Sequence, residues 1–170
     1  MEAESDRIER AEIVRSAAQR PGIPYALAAL ILRLAMARAV FLSGQVLIAG
    51  PQVPLSIHGL TFSLILPVQV RGEVQQAFAA QFAAVPLSPT FIASGFAYAE
   101  FLLPLCLLLG FGTRAAALVL LVMTVALQVY VDPGALWTVH VYWFSLLFVL
   151  MTCGGGAVSL DRLIGHLYLK

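Results

Sequence analysis

Three ionisable side chains stand inside runs that are otherwise apolar: Arg33 and Arg38 in one run, Glu100 in another. An acid or a guanidinium at the centre of a membrane helix costs about 2.5–3.5 kcal/mol. Three such groups without partners would be a heavy penalty for a small bundle, so the residue types predict a pairing of Glu100 with Arg33, Arg38 or both. Two roles are open for that pair, fixing helix register or serving function, because a buried ion pair is by itself weak evidence of stabilisation. Pro104 adds to the case. A proline inside a helix frees the carbonyl four residues earlier, here that of Glu100 itself.

A second polar layer lies nearer the other end of the apolar runs, where Gln45, Gln128, Trp137 and His140 occur. Helical spacing places Trp137, His140, Phe144 and Met151 on one stripe. An imidazole among aromatic rings suits a ring ligand such as a quinone, with His140 as hydrogen-bond donor or acid–base group. The other reading is a histidine bonded to a neighbouring helix. One histidine is too few ligands for a metal, even with His58 nearby, so no metal centre is expected. Cys106 and Cys153 form no CxxC pair and read as two independent thiols. Ala35, Ala39 and Ser43, and likewise Gly95 and Ala99, recur every four positions and predict close helix packing.

The elements that must hold these residues follow from composition. Hydrophobic residues make up 61% of the 170 positions and charged ones 11%, with a mean hydropathy of +0.91. A water-soluble fold of this size would expose large apolar patches. A net charge of +1 gives no footprint for nucleic acid. The class that fits is an all-α integral membrane protein. Four apolar segments, about 24–48, 89–110, 114–131 and 135–153, approach the roughly 20 residues that cross a hydrocarbon core. They make a four-helix transmembrane domain over 21–153. A polar, charged segment over 1–20, too acidic for a secretory leader, precedes it, and a short segment over 154–170 follows.

Short turns, "GFGT" and "DPG", join the later segments. The first two are separated by an insert over 51–88. Its first half reads as extended or re-entrant chain. Over 73–85 the spacing of Val74, Phe78, Phe82 and Val85 predicts an amphipathic helix resting on the outer membrane surface, the alternative being a cap packed over the bundle. With the N-terminus inside, Arg7, Arg10, Arg15, Arg20, Arg114, Arg162 and Lys170 are cytoplasmic and only Arg71 is outside. The positive-inside rule therefore predicts cytoplasmic N- and C-termini.

The blocks "LRLAMARAVFLSG", "SGFAYAEFLLPLCLLLGFGTRAAALVLLVMTVALQVYV" and "LWTVHVYWFSLLFVLMTCGGGAVSLDRLI" resemble the DoxX family of small bacterial four-helix membrane proteins. The resemblance covers about residues 28–165. It rests on Arg33 with Phe41, Ser43 and Gly44; on Glu100 followed by Gly110, Gly112, Thr113 and Arg114; and on Gly154 to Gly156 with Ser159, Leu160 and Asp161. Many relatives carry a lysine after the first-helix glycine, where Gln45 stands here, and the outer insert is longer than in the shortest members. The resemblance implies a multi-pass protein of the bacterial inner membrane. DoxX-like proteins are linked to oxidative, thiol and metal stress, and the related DoxD type is a subunit of a thiosulfate:quinone oxidoreductase.

Residues and resemblance together predict an accessory or anchoring component of a membrane complex in redox or metal homeostasis. Such a component is surrounded by lipid, works with protein partners and is not catalytic on its own. No cofactor motif occurs in the chain. The alternative is a DoxD-like electron-transfer subunit that binds quinone.

Overall fold

A computed structural model describes residues 23–57 and 60–168. The polar segment over 1–20, Lys170 and His58 lie outside the described residues, and so do the readings that fall on them. The chain runs α1 (Ile23–Leu47), β1 (Ile48–Ala49), β2 (Gln52–Ile57), β3 (Leu60–Ile65), β4 (Gln69–Val70), α2 (Gly72–Gln81), α3 (Pro89–Leu109), α4 (Thr113–Tyr130), α5 (Val141–Cys153) and α6 (Leu160–Tyr168). A 3-10 turn at Pro133–Ala135 and a π-helical turn at Leu136–His140 lead into α5. Four helices are long and apolar enough to cross a membrane: Tyr25–Leu47, Pro89–Leu109, Thr113–Tyr130 and Pro133–Cys153. The chain is thus an all-α four-helix membrane bundle. Its outward faces carry Leu27, Ile31, Leu102, Val122, Val129 and Phe148, all exposed. Only hydrocarbon accommodates that pattern without penalty.

Local chemistry sets the helix ends. Ser88 caps α3, its Oγ accepting from the Phe91 N–H, and Pro89 supplies the preformed first-turn φ. The other end of α3 stops at Gly110, which has φ +70°, a left-handed conformation that costs glycine little and other residues much. At the far end of the bundle, β1 pairs antiparallel with β4, and within that frame β2 pairs with β3 from Gln52↔Ile65 to Ile57↔Leu60. The insert is therefore a β-ribbon on a two-residue-wide base, followed by α2.

Packing has two centres. Toward the α3–α4 turn, Met36, Val40, Leu107, Ala117, Leu120, Leu147 and Leu150 form one buried cluster. Toward the insert, Ile48, Val70, Phe78, Phe82, Ile92 and Phe96 form the other. Phe78 and Phe82 stack at 5.3 Å, and both rings meet Phe96 of α3. This corrects the expectation that α2 rests its apolar side on the membrane surface: that side packs onto α3 as a cap at the end of the bundle.

The small-residue stripes are also corrected. Ala35 and Gly95 are exposed, and a Cβ added at Gly95 would meet nothing within 4 Å. The stripe that α1 buries is Ala29, Arg33, Met36, Ala37, Val40 and Gly44, and α3 answers with Ala93, Ala97, Glu100, Pro104 and Leu107.

Candidate functional site

Glu100 and Arg33 sit on the buried faces of neighbouring helices, and the packing register of those helices decides what each one meets. Gly44 of α1 lies directly against Glu100 of α3. A Cβ added to Gly44 would stand 2.9 Å from the Glu100 Cβ and 2.9 Å from its carbonyl oxygen. This is the carbonyl that Pro104 deprives of its helical donor, so glycine gives the freed backbone its close neighbour. The helices are antiparallel. Eleven residues back from Gly44, Arg33 comes opposite the end of α3, more than about 10 Å from Glu100 at 1.5 Å per residue.

Arg33 is 2% exposed and has no carboxylate partner among the described residues. Its guanidinium donates four hydrogen bonds to backbone carbonyls. Nε reaches Leu107 O at 2.8 Å, one terminal nitrogen reaches Leu108 O at 2.8 Å, and the other reaches Gly155 O at 2.9 Å and Val158 O. Two acceptors are orphan carbonyls in the last turn of α3. A cation there also faces the negative end of the helix macrodipole. Arg33 is therefore a C-cap supplied by another helix, and it ties the 155–158 loop to the same point.

Asp161 does the converse for α4. Its carboxylate accepts from Gly112 N–H at 2.6 Å and Thr113 N–H at 2.9 Å, while its own N–H donates to Gly110 O at 2.9 Å. The α3–α4 turn is thus gripped by a cation at the end of one helix and an anion at the start of the next. Gly110 sits between them, where a Cβ would come 2.7 Å from Ser159 Cβ and 2.8 Å from an Arg33 nitrogen.

The predicted pair of Glu100 with Arg33 or Arg38 is not formed. Arg38 lies on the exposed side of α1, roughly 140° round the helix from Arg33. Glu100 is 5% exposed, with the Ser43 hydroxyl beside it, and its Oε2 has no hydrogen-bond partner. Among the described residues it is joined in that condition by the Thr113 hydroxyl alone.

The second polar layer is brought together only in part. His140, 8% exposed, places Nδ1 2.6 Å from Gln128 Oε1, and Gln128 Nε2 donates to Pro133 O at 2.7 Å. Gln45 is elsewhere. Its amide bonds both backbone groups of Ile65, accepting from N–H at 2.7 Å and donating to C=O at 3.3 Å, which pins the ribbon to α1. Trp137 is 77% exposed and does not share a face with His140, because the π turn rotates the chain between Leu136 and Val141 out of the α-helical phase. Trp143, with its ring 6.4 Å from the imidazole, is the aromatic neighbour instead. Among the described residues no three His, Cys, Asp or Glu side chains come together as a metal-binding group.

Arg114 of the motif turn is exposed and lies over Gly154, whose added Cβ would stand 3.1 Å from its Nε. Together with Tyr25, Cys153 and Arg162 it lines a cleft at this end of the bundle. The cleft follows from the glycine run Gly154–Gly156, which was legible as a turn but not as the wall of a cavity.

No curated protein and no solved structure matches the chain. The family model described as DoxX matches residues 28–141, more than half of the 170 positions. That stretch holds Arg33, Gly44, Glu100 and the clamped turn through Arg114, and on this match the chain belongs to the DoxX family.

Proposed function

We propose that this protein is an accessory, anchoring component of a bacterial inner-membrane complex that acts with partner proteins in redox or metal homeostasis, and that it is not a catalyst by itself. The observation that carries this reading is how the buried polar side chains are used. Arg33 caps α3, Thr124 bonds the Leu120 carbonyl of its own helix, and His140 bonds Gln128. Each is occupied in holding backbone or a neighbouring helix, as expected of a scaffold whose polar groups fix one arrangement. Family membership supports the setting, since DoxX-like proteins are linked to oxidative, thiol and metal stress. Cytoplasmic termini accord with the basic end of the bundle, where Arg114 and Arg162 lie.

Glu100 is the group through which this component responds to what it assembles with, because its carboxylate is not consumed by the fold. Purification of the tagged protein at native abundance, with identification of what travels with it, tests the reading. A protein partner in near-stoichiometric amount is expected, and recovery of the chain alone overturns it. Stoichiometric quinone in the lipid extract would instead favour the electron-transfer subunit, with His140 and Gln128 as its polar contacts.

A further inference from the structure

The bundle end that Arg33 and Asp161 organise also carries an open cleft of about 800 Å³. Its walls come from the ends of membrane helices: Tyr25 in the first turn of α1, Arg114 in the first turn of α4 and Cys153 at the end of α5. That origin fixes the depth of the cleft at the level where hydrocarbon gives way to headgroups. Two guanidiniums, Arg114 and Arg162, line it and are exposed. The acid in the same cleft, Asp161, does not answer them, because its two oxygens accept from the N–H groups of Gly112 and Thr113. Neither guanidinium has a side-chain partner among the described residues. The cleft therefore offers uncompensated positive charge in the fork geometry that suits phosphate oxygens.

Helix α6 supplies the other half. Leu163, Ile164 and Leu167 are exposed on one side of it, while Arg162 and His166 occupy the other. Its start is tied down by Asp161 N–H to Gly110 O and by the carboxylate on the α4 N-terminus. Because the first turn is fixed beside the cleft, the apolar side cannot turn away to find cover elsewhere in the bundle. An amphipathic helix held at the ends of membrane spans lies in the interfacial plane with its apolar side in the acyl boundary. Guanidinium cleft and greasy helix face are contiguous, and one amphiphile satisfies both.

We propose that this cleft seats the phosphate of an anionic phospholipid from the adjoining leaflet, Arg114 and Arg162 binding the headgroup while α6 lies in the boundary beside it. A soluble phosphate would satisfy the guanidiniums but leave Leu163, Ile164 and Leu167 in water. Basic clusters at this depth draw anionic lipid by about 1 kcal/mol for each Lys or Arg near the surface.

The test uses the full chain in a neutral detergent, titrated with phosphatidylglycerol, phosphatidylcholine or inorganic phosphate while the thermal midpoint is followed. Phosphatidylglycerol is expected to raise the midpoint saturably. Phosphatidylcholine and phosphate at matched concentration are expected to leave it unchanged. The double variant Arg114→Gln, Arg162→Gln should lose at least tenfold in phosphatidylglycerol affinity, and Arg114→Lys, Arg162→Lys should recover part of it. Equal responses to the two lipids, a response to phosphate equal to that to phosphatidylglycerol, or undiminished affinity in the Gln variant would each overturn the proposal. If the Gln variant does not fold, the salt series on the wild-type protein decides. Phosphatidylglycerol affinity must fall as ionic strength rises, and a flat series overturns it.

Discussion

Arg33 and Asp161 hold opposite sides of one four-residue turn without forming an ion pair with each other. The guanidinium takes the last carbonyls of α3, and the carboxylate takes the first N–H groups of α4. Each charge answers the macrodipole end it faces. The chain thereby closes its first and last described helices onto the turn between the middle two.

Replacement of Arg33 should be the most damaging change in the molecule. Arg33→Gln removes a charge that serves four carbonyls and leaves buried acceptors unmet, a loss of about 3 kcal/mol or more. Arg33→Lys should recover little, since an ammonium on a flexible stem does not reproduce a fork that reaches both α3 and the 155–158 loop. The folded fraction after stepwise heating in detergent checks both.

Two glycine substitutions separate a crowded position from an open one. Gly110→Ala places a methyl at φ +70° against Ser159 and Arg33 and should cost about 2 kcal/mol or more from backbone strain and overpacking together. Gly95→Ala meets nothing within 4 Å and should be neutral or stabilising by up to about 1 kcal/mol. Thermal midpoints measured side by side give the comparison.

Glu100 is testable by an isosteric change. Glu100→Gln keeps the volume beside Gly44, so the protein should express and fold as wild type while partner recovery falls. A variant that is lost from the membrane altogether would instead assign Glu100 to helix register. Gly44→Ala, which drives a methyl to 2.9 Å from Glu100, should cost about 1–3 kcal/mol by parting α1 from α3.

Asp161→Ala uncovers the two N–H groups that begin α4 and should cost about 1 kcal/mol, the usual worth of an N-cap. Asp161→Asn, with one acceptor oxygen in place of two, should fall between. Hydrogen exchange at Gly112 and Thr113 reads the effect where it occurs.

His140→Phe removes the bond to Gln128 but leaves Gln128 its bond to Pro133 O. A cost of about 1–2 kcal/mol is expected from the exposed or unpaired amide oxygen. Unchanged partner recovery in that variant would retire His140 as a functional residue.

Helix bounds were legible because punctuation is local. Pro89, Gly110, Gly112 and Gly154 stop or start helices through their own φ preferences and missing donors, and those signals survive without tertiary context. The partner of Arg33 was not legible. Counting depth along α1 and α3 places Arg33 and Glu100 both near mid-span, but the register set by Gly44 on Glu100 slides Arg33 to the end of α3. Backbone carbonyls, which leave no mark in composition, then outbid the acid. Helix faces were hidden for a different reason. The lipid side and the packed side are both apolar, so Ala35 and Gly95 look as suitable for packing as Ala37 and Ala97 do. The π turn before His140 displaced Trp137 from its predicted stripe, and nothing in the residue types announces such a turn. Helix α6 was written plainly in Leu160, Leu163, Ile164 and Leu167 against Arg162 and His166, and a segment of this length is easily read as a tail.

The ribbon is fastened to α1 twice, through the Ile48↔Val70 pair and through the Gln45 amide on Ile65. Both fastenings fall within one helical turn of Gly44, the residue seated on Glu100. A load applied to the ribbon tip is therefore delivered to the last turn of the first span, with no slack loop to absorb it. Tension outside the bilayer would arrive as strain at the acid inside it.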